Sequence, residues 1–368
     1  MRRRLLAALL ALGCCAAFAE NAPPEGFARV KIGEAPARFV LWRPAPTGRT
    51  LLVLAEDEPA TAVRSRADLL QIALGRKMSV IFLGPAENLA SAPARENLRK
   101  ILGSLKPAKI VGAGLGKGAD LLRDLAFEAG PKIFDALLLA DAGAAPPGVK
   151  GGPFVVELYG SDAYWRAAPL APNMAPAPDR RRFFLAGATL ARSGEANCAA
   201  PVNLRDIEPA RRALLVALDD FLHGGPPPPA SREAELAPAK SLVWPKIPGL
   251  PAPPAGGRMV PKIDVDGNET SGLRLPDQAL PIASFTGWNA AKDKAPGACV
   301  AGAAIPFAPS RAAREASGDP RQSLLERYGA RSYFVAALRS VADRLVKERL
   351  LLPQDADAYV AAGKLAPF

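Results

Sequence analysis

The stretch Ile110-Val111-Gly112-Ala113-Gly114-Leu115-Gly116-Lys117-Gly118-Ala119 reads as an apolar strand running through a glycine turn into a helix. A G-x-S-x-G pattern in this setting lifts a serine Oγ above a sheet, because its small flanking residues permit a sharp strand-to-helix turn. The frame from Gly112 to Gly116 keeps the flanking glycines and sets Gly114 where the serine would stand. The same residues meet a second pattern, since Gly114-x-Gly116-x-x-Ala119 fits the dinucleotide fingerprint and Asp141 ends the next expected strand, where a ribose-binding acid could sit. That motif belongs at the first strand-to-helix turn, whereas here it follows several strands. Nucleotide binding therefore stands as an alternative, and the expectation is no cofactor. A phosphate-binding P-loop is excluded, because Gly118 follows Lys117 where serine or threonine is required.

Outward from this turn, short apolar runs alternate with helical patterns. Arg38 to Trp42, Thr50 to Ala55, Met78 to Leu83, Lys109 to Gly112, Phe134 to Ala140, Phe154 to Leu158 and Arg182 to Ala186 read as strands. Ala60 to Lys77, Pro93 to Leu105, Lys117 to Ala129 and Ile207 to Leu222 read as helices. Strands apolar on both faces, alternating with helices, imply a mostly parallel sheet flanked by helices. From Gly224 to about Pro261 the chain is rich in proline, alanine and glycine, which predicts an extended wrap rather than a second core. Pro320 to Tyr328, Ser332 to Arg349 and Gln354 to Ala362 then read as a helical tail, with Pro320 and Pro353 suited to helix starts.

Composition bounds the function classes. Hydrophobic residues make up 49% of the chain and charged residues 23%, a balance that builds a core rather than a disordered polymer. The formal net charge is +11, but the basic residues are scattered without interleaved aromatics, so nucleic-acid binding is not expected. The tightest basic group, Arg180-Arg181-Arg182, reads as the solvated start of a strand. The amino terminus, with Arg2-Arg3-Arg4, an apolar run from Leu5 to Leu12 and Ala17-Phe18-Ala19, reads as a secretory leader over residues 1–19. Soluble export to the periplasm or medium is favoured over a lipid anchor on Cys14, whose preceding Ala11 fits a lipoprotein signal poorly. No segment reaches transmembrane length. Of the four cysteines, export would leave Cys198 and Cys299, which predicts a disulfide in an oxidising compartment.

Several motifs resemble those of a bacterial family of α/β-hydrolase domain proteins with a serine elbow and a long carboxy-terminal tail. They are Pro261-Lys262-Ile263-Asp264-Val265-Asp266-Gly267-Asn268-Glu269, Gly272 to Pro276, Thr286-Gly287-Trp288-Asn289, Ile305-Pro306-Phe307 and Gly318 to Gly329. The resemblance implies an α/β-hydrolase-like core over residues 20–223, with residues 224–368 as a proline-rich wrap and helical tail packed on it. It also implies the positions of a catalytic triad. The nucleophile falls on Gly114, the histidine on Leu190 in the turn Ala186-Gly187-Ala188-Thr189-Leu190, and the acid on Asp162, with Gly160 an alternative register. With serine and histidine absent, the expectation is a degenerate member that binds a small molecule or a protein partner. The competing expectation is an active esterase-type hydrolase using unconventional residues.

Substitutes for the missing groups are few. The only histidine, His223, sits at the end of a helix, where a solvent-exposed capping role suits the dipole. Ser161 and Ser193 lack a visible base. Asp264-Val265-Asp266-Gly267-Asn268-Glu269 has its glycine fourth and Leu275 twelfth, so it reads as a turn and not as a calcium loop. One histidine and two separated cysteines supply little for a transition-metal site. Trp244 and Trp288 are candidates to line a ligand cleft, with Asp162 as a second pocket residue.

Overall fold

A computed structural model describes residues 27–32, 39–44, 48–56, 69–83, 91–128, 130, 132–143, 146, 151–166, 177–190, 194–292 and 299–367. The secretory leader, Cys14, Ser193 and most of the helix expected from Ala60 lie outside them. The chain forms two compact units, Met1–Leu139 with Lys150–Phe154, and Ala140–Val149 with Val155–Phe368.

In the first unit the strands are β1 (Phe27–Ile32), β2 (Phe39–Pro44), β3 (Thr50–Glu56), β4 (Ser79–Leu83), β5 (Lys109–Leu115) and β6 (Ala136–Ala140), side by side in the order β1-β2-β4-β3-β5-β6. β3 runs parallel to both β4 and β5, whereas β2 is antiparallel to β1 and β4. Residues 51–55 and 79–83 are buried throughout, the signature of strands covered on both faces. Helix α1 (Ala92–Leu105) starts at Ser91, whose hydroxyl accepts from the Ala94 amide at 3.3 Å, and buries Ala94, Leu98 and Leu102 at helical spacing. Helix α2 (Lys117–Phe127) follows β5 and buries Ala119, Leu121, Leu122 and Leu125. The sequence pattern did not mark β1.

In the second unit β7 (Phe154–Gly160) runs parallel to β8 (Arg180–Leu185), and helices α3 (Asp162–Trp165) and α4 (Glu208–Leu222) follow them. The strand register sets Glu157 opposite Arg182, and the two buried side chains pair at 3.0 Å. Arg180 and Arg182 are both buried, so the expectation of a solvated basic strand start is corrected. A charge enters this interior because its counter-charge sits directly across the ladder.

The free edge of β8 is covered by the proline-rich segment and by the chain after it. The Phe184 amide donates to the Arg232 carbonyl at 2.8 Å, the Arg232 amide to the Arg182 carbonyl at 2.8 Å, and the Leu273 amide to the Phe184 carbonyl at 2.7 Å. An edge strand that would otherwise expose unpaired backbone groups is satisfied within the unit. Two short antiparallel ribbons follow, β9 (Leu236–Pro238) with β10 (Met259–Pro261) and β11 (Ala283–Phe285) with β12 (Ala304–Pro306).

The tail helices are α5 (Pro276–Ala279), α6 (Arg311–Ser317), α7 (Leu324–Tyr328), α8 (Arg331–Lys347) and α9 (Pro353–Gly363). α7 begins after Ser323 and not at Pro320, because Ser323 and Glu326 form a reciprocal capping box. The preceding Arg321 is buried, bonding Asp319, the Ser284 hydroxyl and the Ile305 carbonyl, which holds it out of a helix. None of the helices among the described residues is long and apolar enough to cross a membrane.

Cys198 and Cys299 are disulfide-bonded across 101 residues of sequence. In the chain-entropy view a loop this long is stabilised by about 4.7 kcal/mol. Cys198→Ser with Cys299→Ser is expected to lower the free energy of unfolding by about 2–5 kcal/mol, read from the urea midpoint of reduced-thiol-free protein.

Candidate functional site

In the first unit, β5 carries its apolar run into the turn and buries residues 111–114. Gly114 lies within β5, and the residue that turns the chain into α2 is Gly116, with φ 58° and ψ −129°. That backbone conformation is strained for any residue with a Cβ. The two glycines differ in the space around them. A Cβ on Gly114 would lie 2.7 Å from both the Cα and the amide nitrogen of Ala119, backbone that cannot move aside. A Cβ on Gly116 would meet nothing within 4 Å. The frame that matches the turn geometry is therefore Gly114-Leu115-Gly116-Lys117-Gly118, two residues beyond the frame that the sequence suggests.

In the second unit, the turns after β7 and β8 are locked together. The Ser161 amide donates to the Ala188 carbonyl at 2.7 Å, and the Leu190 amide donates to Asp162 Oδ1 at 3.0 Å. Leu190 is buried, so the expected histidine position is a packed apolar side chain. Asp162 is buried as well and shares Arg166 with Asp141, whose carboxylate lies 2.7 Å from the guanidinium. Asp141, the residue that would hold a ribose, is thereby committed to an ion pair. Asn203 donates to the Gly187 carbonyl at 2.7 Å, and Arg205 donates to the Ala186 carbonyl at 3.0 Å and to Gln278 at 2.6 Å.

The residue that sequence reasoning missed is Glu269. Its Oε2 accepts from the Ser161 hydroxyl and, at 2.6 Å, from the Gly187 amide, so one carboxyl from the tail bridges both turns. Ser161 has no exposed surface, and its hydroxyl is spent on this bond. Burial pushes the Glu269 carboxyl up to about 7, against the opposing pull of the Ser161 and Gly187 bonds and of Arg205. The available signal was Glu269 beside Asn268 and Thr270 in a segment read only as a turn. That turn exists: Asp264 accepts from the Asp266 and Asn268 amides at 2.9 Å each, and Asp266 pairs with Arg327 at 2.7 Å. Among the described residues no group of side chains is arranged to hold a metal.

His223 is the C-cap of α4, but its side chain is only 15% exposed, with Nε2 3.5 Å from Asp219. The expected solvent-exposed role is corrected, because Asp219 lies one turn back on the same helix face. Trp288 is buried and meets Trp165 and Trp244 edge-to-face, with centroids 5.8 and 5.5 Å away. Trp244 and Trp288 line a cavity of about 410 Å³, and Asp162 is not part of its wall. Trp165 and Arg166, which complete these clusters, were not marked by the sequence.

A family model described as "Alpha/beta hydrolase domain" matches residues 168–361. No curated protein matches the chain. Among solved structures, the chain is 12% identical to carboxyl esterase 2 from Tuber melanosporum, covering 38% of this chain and 68% of that one, at a TM-score of 0.28. A thermostable esterase from Pseudomonas putida is 11% identical over 38% of this chain and 66% of that one, TM-score 0.28. A Thermus thermophilus protein is 14% identical over 43% of this chain and 88% of that one, TM-score 0.33. The chain thus spans about two thirds of the length of these esterases. Likeness at this level carries no argument about the site.

The buried carboxyl makes stability depend on pH. Its folded value of about 7 lies above the ordinary 4.5, so its contribution is complete below about pH 4.5 and is lost as pH rises through 7. At 1.36 kcal/mol per unit this amounts to about 3 kcal/mol. Glu269→Gln, which resembles the protonated acid, is expected to remove that slope: urea unfolding between pH 4.5 and 8 should show the wild type falling relative to the variant by about this amount.

Proposed function

Because the chain belongs to the alpha/beta hydrolase domain family, we propose that it is a degenerate member of it, an exported protein that binds rather than turns over its ligand. The single observation that carries this reading is the elbow. The residue with the strained turn conformation is Gly116, which has no atom to attack with, and the alternative frame puts Gly114 there, again without a side chain. Leu190 in the turn after β8 supports it from the other side, since a buried leucine neither accepts a proton nor orients a nucleophile. Ser161 is no substitute: its hydroxyl, held on Glu269, has no exposed surface, so a substrate carbonyl does not reach it. Export is supported by the disulfide between Cys198 and Cys299, which persists in oxidising compartments.

Intact mass after fluorophosphonate treatment, with an arylester panel, tests the proposal. The expected result is no adduct and no turnover above the buffer rate. A stoichiometric adduct on any serine would overturn it. The two elbow frames are separated by Gly116→Ser and Gly114→Ser. The first is expected to fold with a loss of about 1 kcal/mol from the positive φ, and to remain inactive on arylesters because Leu190 supplies no base. The second is expected to cost about 2 kcal/mol or more, because its Cβ meets the α2 backbone.

A further inference from the structure

Five basic residues scattered in the sequence, Arg43, Arg49, Lys77, Lys106 and Lys132, are gathered by the fold at one end of the sheet in the first unit. β4, β3, β5 and β6 lie side by side, and the residues that lead into them share that end. The Lys109 amide donates to the Arg49 carbonyl at 3.1 Å, which sets the start of β5 beside the start of β3. The Asp135 amide donates to the Ile110 carbonyl at 2.8 Å, which brings Lys132 and the start of β6 to the other side of β5. A Cβ on Gly48 would strike the Lys77 carbonyl, so the chain before β3 lies against the chain before β4. β2 runs the opposite way, with Trp42 across from Val80, and delivers Arg43 to the same end. With neighbouring strands about 4.8 Å apart, the row spans roughly 19 Å.

Arg49, Lys77, Lys106 and Lys132 are exposed, and none of them has an ion pair among the described residues. On the helices of the same unit the charges are paired, Glu96 and Glu128 with Arg99, and Asp120 and Asp124 with Arg123. The segments 43–50, 74–80, 103–112 and 129–136 contain one acid, Asp135, and Lys109 lies 3.6 Å from it. The helix dipole accounts for part of this basic edge, since Lys106 is the C-cap of α1 and Lys77 follows a helical segment over residues 69–75. Both lysines hold a left-handed backbone, with φ 46° and 54°, where glycine would be free of strain. Arg43, Arg49 and Lys132 stand at no helix terminus, so the dipole does not account for them.

The surroundings select a partner. An acidic protein would need an apolar anchor at the centre of its interface, and every exposed large hydrophobic side chain among the described residues belongs to the second unit. Single-stranded nucleic acid needs exposed rings on which to stack its bases, and the rings near this end, Trp42 and Phe134, are buried. A layer of anionic headgroups needs neither, because its phosphates meet separate point charges one by one. We propose that this end of the sheet docks the protein on a bilayer containing anionic phospholipid. The inference goes beyond the ligand-binding function proposed above and does not rest on it. β5 runs away from the docking end, which sets the Gly116 turn roughly 20 Å from the headgroups.

Co-sedimentation of the exported form, residues 20–368, with vesicles tests this, using phosphatidylcholine alone and phosphatidylcholine with about 30% phosphatidylglycerol. The protein is expected to partition onto the anionic vesicles only, and at least about tenfold less when salt rises from about 0.05 to 0.5 M. Each cation is expected to contribute about fivefold. Lys77→Asn with Lys106→Asn, in which asparagine accepts the left-handed backbone, should therefore lower partitioning roughly twentyfold. Arg49→Gln with Lys132→Gln is expected to do the same, and decides if the first pair does not fold. Lys240→Gln with Arg331→Gln removes the same net charge from exposed positions of the second unit and is expected to change partitioning less than about twofold. Equal binding to vesicles without phosphatidylglycerol, no binding to anionic vesicles at low salt, insensitivity to salt, or edge pairs no more damaging than the control pair would overturn the proposal. Tighter binding to single-stranded DNA than to vesicles at equal phosphate would overturn it in favour of nucleic acid.

Discussion

The carboxyl of Glu269 is the constraint on which the second unit's turns depend. It reaches from the tail to the Ser161 hydroxyl and the Gly187 amide, and so fastens the turn after β7 to the turn after β8. Here both are held from behind: Gly187 by Asn203, Ala186 by Arg205, and Leu190 by Asp162. Asp162 itself accepts from the Leu190 amide and pairs with Arg166.

The same logic runs through the tail. The segment after α4 satisfies the backbone edge of β8 through Arg232 and Leu273, and its Trp244 packs against Trp288 and Trp165. Prolines suit this role, since they hold an extended path without needing donors of their own. Arg321 and Arg205 show how the irregular path is made rigid, each buried guanidinium collecting carbonyls and carboxylates from several loops. A loop-rich wrap of this kind has few helical or sheet bonds to order it, so buried charged side chains take over that function.

Much of the fold was legible in the sequence because it rests on local pattern. The apolar runs that became β3, β4, β6 and β7, and the spacing that became α1, α4, α8 and α9, are signals carried by neighbouring residues. The disulfide between Cys198 and Cys299 was legible from the cysteine count, with the amino terminus read as a leader. The errors share a cause. Arg180 and Arg182 read as solvated because a lone sequence does not show Glu157 lying across the ladder, and Pro320 read as a helix start because the capping box at Ser323 competes with it. β1 escaped notice because its pattern alone is weak and its place is set by pairing with β2.

What the sequence determined by itself is the class of the fold and the absence of side chains at Gly114 and Gly116 of the strand-to-helix turn, since composition, periodicity and residue identity need no partner to be read. The tertiary structure alone decided which glycine makes the turn, that Ser161 is buried against Glu269, and that three tryptophans far apart in the chain share one cluster beside a cavity. The physical reason is that backbone strain, desolvation of a carboxyl and the pairing of a buried donor each depend on groups brought close by folding, and none of these neighbours is adjacent in sequence.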